Sequence, residues 1–158
     1  MARKKISDAQ KLVAERRVAR KLALFAIYQW QMTGNSFEDI YVQLQQDSNY
    51  SSDFRKADAA FLHSLVKCAL GHSEKVESLI QPHLEHRKLA QVDMIEQAML
   101  RLATCELLNH METPYKVAVS EAVNMTKKFG AKQGHKFVNG VLTKLIAELH
   151  STESKAKK

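Results

Sequence analysis

The sequence predicts an all-α fold of about seven helices, and three observations carry that prediction. Only 5 Gly and 2 Pro interrupt the 158 residues. Apolar residues recur at spacings of three and four along most of the chain, the period of a helix with one buried face. No segment alternates apolar and polar residues in the manner of a half-buried strand. At 45% hydrophobic and 26% charged residues, the chain has the composition of one globular domain large enough to bury a core. No run of about 18 apolar residues is present, so no membrane-spanning helix is expected. The basic start lacks the apolar stretch of a secretory signal, so none is expected either.

The elements follow in order. Residues 14–32, AERRVARKLALFAIYQWQM, read as a long first helix with an arginine side (Arg16, Arg17, Arg20, Lys21) and an apolar side (Val18, Ala19, Leu22, Phe25, Ala26). Its second half turns apolar all round at Leu24, Ile27, Tyr28 and Trp30, and Thr33-Gly34-Asn35 ends it. Ser36 caps a short second helix with Phe37, Ile40, Tyr41 and Leu44 inward. After the polar stretch QQDSNYSSD, a third helix capped by Ser52 or Asp53 carries Phe61, Leu62, Leu65, Val66 and Leu70 up to Gly71. A fourth runs over 73–84 through Val76, Leu79 and Ile80. A boundary near Arg87-Lys88 precedes the strongly apolar fifth, VDMIEQAMLRLATCELLNHM. Thr113 is the expected cap of the sixth, with Pro114 at its first helical position, where a missing N–H costs nothing. Gly134 opens the seventh, with Val138, Val141, Leu142 and Leu145 as its core stripe. Residues 1–13 are expected to form a flexible basic extension, 14–149 one helical domain, and 150–158 a frayed polar tail.

The charge is concentrated. Residues 1–21 hold eight basic side chains against Asp8 and Glu15, a net +6 of the chain's +7; the other 137 residues hold 16 basic and 15 acidic. A near-neutral body with a cationic arm points to a polyanion. The arginine side of the first helix is expected to face solvent, where planar guanidinium forks match phosphates and stack on bases. If Arg16, Arg17 and Arg20 each neutralise one phosphate, together they steepen the salt dependence of single-stranded RNA binding by about two units. Phe137 lies off the core stripe of the last helix, on the side read as carrying His135, Lys136 and Asn139. An aromatic there is either a first-turn staple or a stacking platform for an unpaired base. Tyr115, at a helix start beside Lys116, is a second candidate platform.

Other chemistries find little support. Cys68 and Cys105 stand alone and read as reduced core thiols of a cytoplasmic protein. His83 and His86 in PHLEH lack further ligands at metal spacing, so no metal or cofactor is expected. There is no glycine-rich phosphate loop, nucleophile elbow or HExxH. Glu106 and Glu121, inside apolar helices, are explained by helix-end hydrogen bonds or by ion pairs with Arg101 or Lys116, and no enzyme is indicated.

Three segments together resemble one family. RRVARKLALFAIYQW (16–30) is similar to the arginine-rich opening helix of the bacterial antitermination factors of the NusB family. IEQAMLRLATCEL (95–107) resembles their central helix. TPYKVAVSEAVNMTKKFGAKQGHKFVNGVLTKL (113–145) is similar to their most distinctive block. The resemblance spans about residues 14–148 and implies a bundle of two helical subdomains. It also implies a non-enzymatic role: binding the boxA element of nascent ribosomal RNA leaders jointly with NusE, a small-subunit ribosomal protein, alongside other Nus factors on RNA polymerase. By the same resemblance Arg16, Arg17, Arg20 and Phe137 are RNA contacts; Lys21 beside the arginines, and Tyr115 and His135 in the last block, complete the candidate RNA-binding set. Tyr28, Met32 and Glu96 match positions at or near the NusE interface. Val18 interrupts an arginine run, and Gln133-Gly134 stand where acidic or hydroxyl residues are common, which removes negative charge beside the implied RNA surface. Two further readings stay open. One is a module like the front end of ribosomal RNA cytosine methyltransferases, which would need a separate catalytic subunit. The other is a general basic helical protein on nucleic acid. No membrane partner is expected, and monomer and homodimer are both compatible with the sequence.

Overall fold

The computed structural model describes residues 6–156, with side chains to Ser151. Among the described residues there are eight α-helices and no strand. They are α1 (Asp8–Thr33), α2 (Phe37–Gln46), α3 (Ser51–Lys56), α4 (Ala59–Gly71), α5 (Ser73–Ile80), α6 (Met94–Asn109), α7 (Tyr115–Phe129) and α8 (Gly134–Ala156). None of the described helices is long and apolar enough to cross a membrane.

Local chemistry sets most of the boundaries. Ser7 opens α1 with a capping box: its hydroxyl accepts from the Gln10 amide while the Gln10 side chain accepts from the Ser7 amide. The helix therefore starts six residues before the expected position and takes in residues 8–13 of the expected extension; residues 1–5 lie outside the described residues. Gly34 ends α1 at φ 70°, a left-handed position that glycine occupies without strain. Ser36 caps α2 through the Asp39 amide, as expected.

The predicted third helix is two. Ala57 is extended, and Asp58 restarts the chain as the N-cap of α4, accepting from the Phe61 amide. The Asp58 amide in turn donates to the Glu15 carbonyl of α1, so the break is held from outside the segment. At the start of α7 the structure differs by one residue: Pro114 occupies the cap position without a side-chain bond, and Thr113 accepts from Arg16 instead. α8 continues past 150 to Ala156.

The bundle has two groups, α1–α4 and α5–α8, joined where α1 and α4 lie on α6. Every residue of α6 from Glu96 to Leu107 is buried, which makes it the central strut. Val138, Val141, Leu142 and Leu145 of α8 are all buried, as their spacing predicts. Packing of α4 on α6 also brings Cys68 and Cys105 together as a disulfide with their Cα atoms 5.9 Å apart. The expectation of two reduced, isolated thiols is thus corrected. Residues 37 apart on different helices carry no pairing signal in sequence.

Candidate nucleic-acid interface

The arginine side of α1 does not face open solvent. Arg20 is 3% exposed, and its Nε and Nη2 donate to the two carboxylate oxygens of Glu106 on α6 at 2.8 and 2.7 Å. Its donor fork is occupied inside the fold, so Arg20 pins α1 to α6 instead of facing solvent as expected. Arg16 is half-buried, donating to Glu112 at 3.0 Å and to the Thr113 hydroxyl at 3.3 Å, with its guanidinium 4.4 Å from the Phe61 ring centre. Arg17 remains 64% exposed while holding Glu121 at 2.9 Å, and Lys21 holds Asp53 at 3.0 Å. Glu106 and Glu121 are ion-paired, but with α1 rather than with Arg101 or Lys116. Arg101 instead reaches Gln31, Glu77 and Gln97 and lies 5.1 Å from the centre of Trp30. A helix polar on one side can bury that side if another element supplies carboxylates in register, and periodicity within α1 does not reveal this.

Phe137 is half-buried, with the core on one side and the Arg87 guanidinium 4.3 Å from its ring centre on the other. The two belong to a small cleft of about 160 Å³ lined also by His83, Lys136 and Lys144. Arg87 reaches this place on the turn between α5 and α6. The Gln81 side chain clamps that turn, donating to the Arg87 carbonyl at 2.8 Å and accepting from the Leu89 amide at 3.1 Å. Glu85, at φ 57°, is the one non-glycine residue in the left-handed region among those described, a conformation that costs about 1 kcal/mol or more and recurs at functional sites. Lys144 approaches Glu85 at 3.6 Å, and the His83 ring meets Glu148 at 2.5 Å. The sequence reading missed His83, Arg87, Lys136 and Lys144 as a set. Lys136 adjoins Phe137 and Lys144 lies two turns on, but only the tertiary fold brings the 83–87 turn to α8.

The flank of Phe137 is not the flank of Asn139. Asn139 lines a separate groove between α7 and α8, with Tyr115, Lys116 and His150. Tyr115 stacks obliquely on His150, ring centres 4.5 Å apart. His135 is half-buried, and its Nδ1 is buried with no hydrogen-bond partner. The predicted RNA residues therefore fall in separate places: Arg16, Arg17 and Lys21 on α1, Tyr115 in the α7–α8 groove, and Phe137 against the α5–α6 turn.

Of the residues assigned to a protein interface, Met32 is 58% exposed and Tyr28 half-buried at the end of α1. Glu96 is only 8% exposed and packs within the fold. Its carboxylate sits under the start of α8, where a Cβ on Gly134 would lie 2.8 Å from Oε1 and Cδ. This is why glycine opens α8. Gly134→Ala should cost about 1–2 kcal/mol of stability by overpacking. Denaturant titration checks this, and much of the cost should vanish in the Gly134→Ala/Glu96→Ala double variant.

Burial pushes the Glu96 carboxyl up from its ordinary range, helped by the nearby Asp93 carboxylate and opposed by Arg87. A raised folded pKa means that the fold holds the proton more tightly than the unfolded chain does. Stability from this group is therefore lost as pH rises from the usual carboxylate range through the raised value. Glu96→Gln should melt higher than the parent at pH 8, with the gap closing at pH 4. An unchanged gap across that range would count against the assignment.

A model of the NusB family matches residues 17–147. The chain is 42% identical to the transcription antitermination protein NusB of Teredinibacter turnerae, over 90% of this chain and 95% of that one. It is also 42% identical to the NusB of Shewanella loihica, over 85% and 97%. Among solved structures it is similar to T. maritima NusB, with a TM-score of 0.70 at 26% identity over 84% of this chain and 91% of that one. It is similar in the same degree, TM-score 0.70 at 25% identity over 82% and 93%, to NusB in a crystal structure of the antitermination factors NusB and NusE in complex with dsRNA.

Proposed function

The chain belongs to the NusB family of transcription antitermination factors, and from that premise we propose that it binds boxA of nascent ribosomal RNA leaders together with NusE. In this reading it acts in the cytoplasm without catalysis, as an assembly factor that joins RNA, NusE and other Nus factors on RNA polymerase. The observation that carries the RNA part is the cluster of Phe137, Lys136 and Lys144 on α8 with Arg87 on the strained α5–α6 turn, an aromatic ring surrounded by cations. Single-stranded RNA is recognised by that combination, cations tracking phosphates while a planar surface receives an unstacked base. Arg17 and Lys21, on the exposed part of α1, add sequence-independent phosphate attraction. Both are held by carboxylates, so each contact exchanges one anion for another and leaves the net charge to supply attraction at distance. A similar structure holds NusB with NusE and RNA, which supports NusE as the partner. Exposed Met32 beside Tyr28 supplies an apolar surface that fits a protein contact.

The test is transcription through a terminator placed after a boxA leader, with RNA polymerase, NusE and the other Nus factors present. Adding this chain should raise read-through on the boxA template and leave a scrambled leader unaffected. Equal read-through on both templates contradicts the proposal.

A further inference from the structure

Resting on the RNA reading above, we propose that Arg87, not Phe137, supplies the surface on which a base stacks, and that Phe137 is the positioning residue behind it. The guanidinium lies over the ring at 4.3 Å. A base inserted between two planes needs them about 7 Å apart, twice the roughly 3.4 Å spacing of stacked nucleotides, so the observed gap has no room for one. Phe137 is otherwise half-buried and packed against the core. Arg87 itself is exposed. The outermost planar group of the cluster is therefore the guanidinium, and bases stack on guanidinium planes as well as on aromatic ones.

The turn is built to hold Arg87 there. Gln81 fixes the main chain at the Arg87 carbonyl and at the Leu89 amide, and Glu85 takes the left-handed conformation just before Arg87. Phe137 beneath lends the guanidinium a flat, apolar backing, so less side-chain freedom is lost when RNA binds. Lys136 and Lys144, about two helical turns apart on α8, line the same cleft, where the phosphates on either side of the base would lie. Layers of ring, guanidinium and base thus form one stack in which only the second layer is contributed by the α5–α6 turn.

The proposal is tested by boxA RNA binding of the full chain with NusE, comparing Arg87→Ala, Arg87→Lys, Phe137→Ala and the double alanine variant. Arg87→Ala should weaken binding on the order of tenfold, the scale of one lost stacking contact. Phe137→Ala should weaken it by a similar or smaller factor, and the double variant should bind no worse than Arg87→Ala alone. Arg87→Lys keeps the charge and should keep the parent's salt dependence, yet lose most of the affinity, because an ammonium offers no plane. Thermal melting of Arg87→Lys should match the parent, which separates a recognition defect from a folding one. Parent-like or tighter binding by Arg87→Ala, with loss only in Phe137→Ala, would mean that the guanidinium moves aside and the ring itself receives the base, and would overturn the proposal. In that case boxA selection by the parent chain would still stand. If the parent chain instead binds boxA and scrambled RNA alike, the functional reading and this inference fall together.

Discussion

Replacing Arg20 with alanine is expected to cost the fold about 3–5 kcal/mol, the penalty for leaving a buried charge without its partner. Glu106 is 1% exposed and both its oxygens are held by Arg20, so the truncation strands a carboxylate between α1 and α6. Total stability of such a domain is of order 5–15 kcal/mol, so the loss takes much of it. Arg17→Ala, two-thirds exposed, should change stability by less than about 1 kcal/mol. It should instead weaken RNA binding and lower the salt slope by about 0.7. Urea titration together with RNA titration at several salt concentrations separates the two arginines. Converting the Arg20–Glu106 pair to methionine and leucine should restore most of the stability, because two uncharged side chains need no partner. A stable Arg20→Ala with strongly weakened RNA binding would return Arg20 to the list of direct contacts.

Phe137→Ala is expected to weaken boxA binding by about 1 kcal/mol, which is roughly 5- to 10-fold, with the fold intact. The loss comes from the stack that the ring supports, whichever plane touches the base. Four neighbouring core residues, Val138, Val141, Leu142 and Leu145, hold α8 in place without it. Because the ring is half-buried, a modest fall in melting temperature accompanies the change. A large fall with RNA affinity unchanged would show that Phe137 serves packing alone.

The fold was legible wherever a helix's own residues decide its form. The apolar stripe of α8, the Ser36 cap and the Gly34 stop are local, and each stands where the spacing puts it. What was not legible depends on a second element. Asp58 breaks the third helix because the Glu15 carbonyl and Arg16 await it on α1. Arg20 is buried because Glu106 lies opposite, and Cys68 meets Cys105 because α4 lies on α6. The candidate site divides in the same way. Phe137 was recognisable as off-stripe from α8 alone, whereas Arg87 could be joined to it only by the course of the α5–α6 turn. Asn139 was placed with Phe137 by proximity in sequence, although two helical steps carry it round to the groove against α7.

The central claim is that the chain selects boxA RNA when NusE is present, and competition binding tests it most directly. Labelled boxA RNA is bound to the chain plus NusE, then challenged with unlabelled boxA RNA, scrambled RNA, duplex DNA and anionic vesicles at near-physiological salt. Unlabelled boxA should displace the label at a far lower concentration than any other competitor, and omitting NusE should shrink that margin. Equal displacement by boxA and scrambled RNA in the presence of NusE would contradict the account.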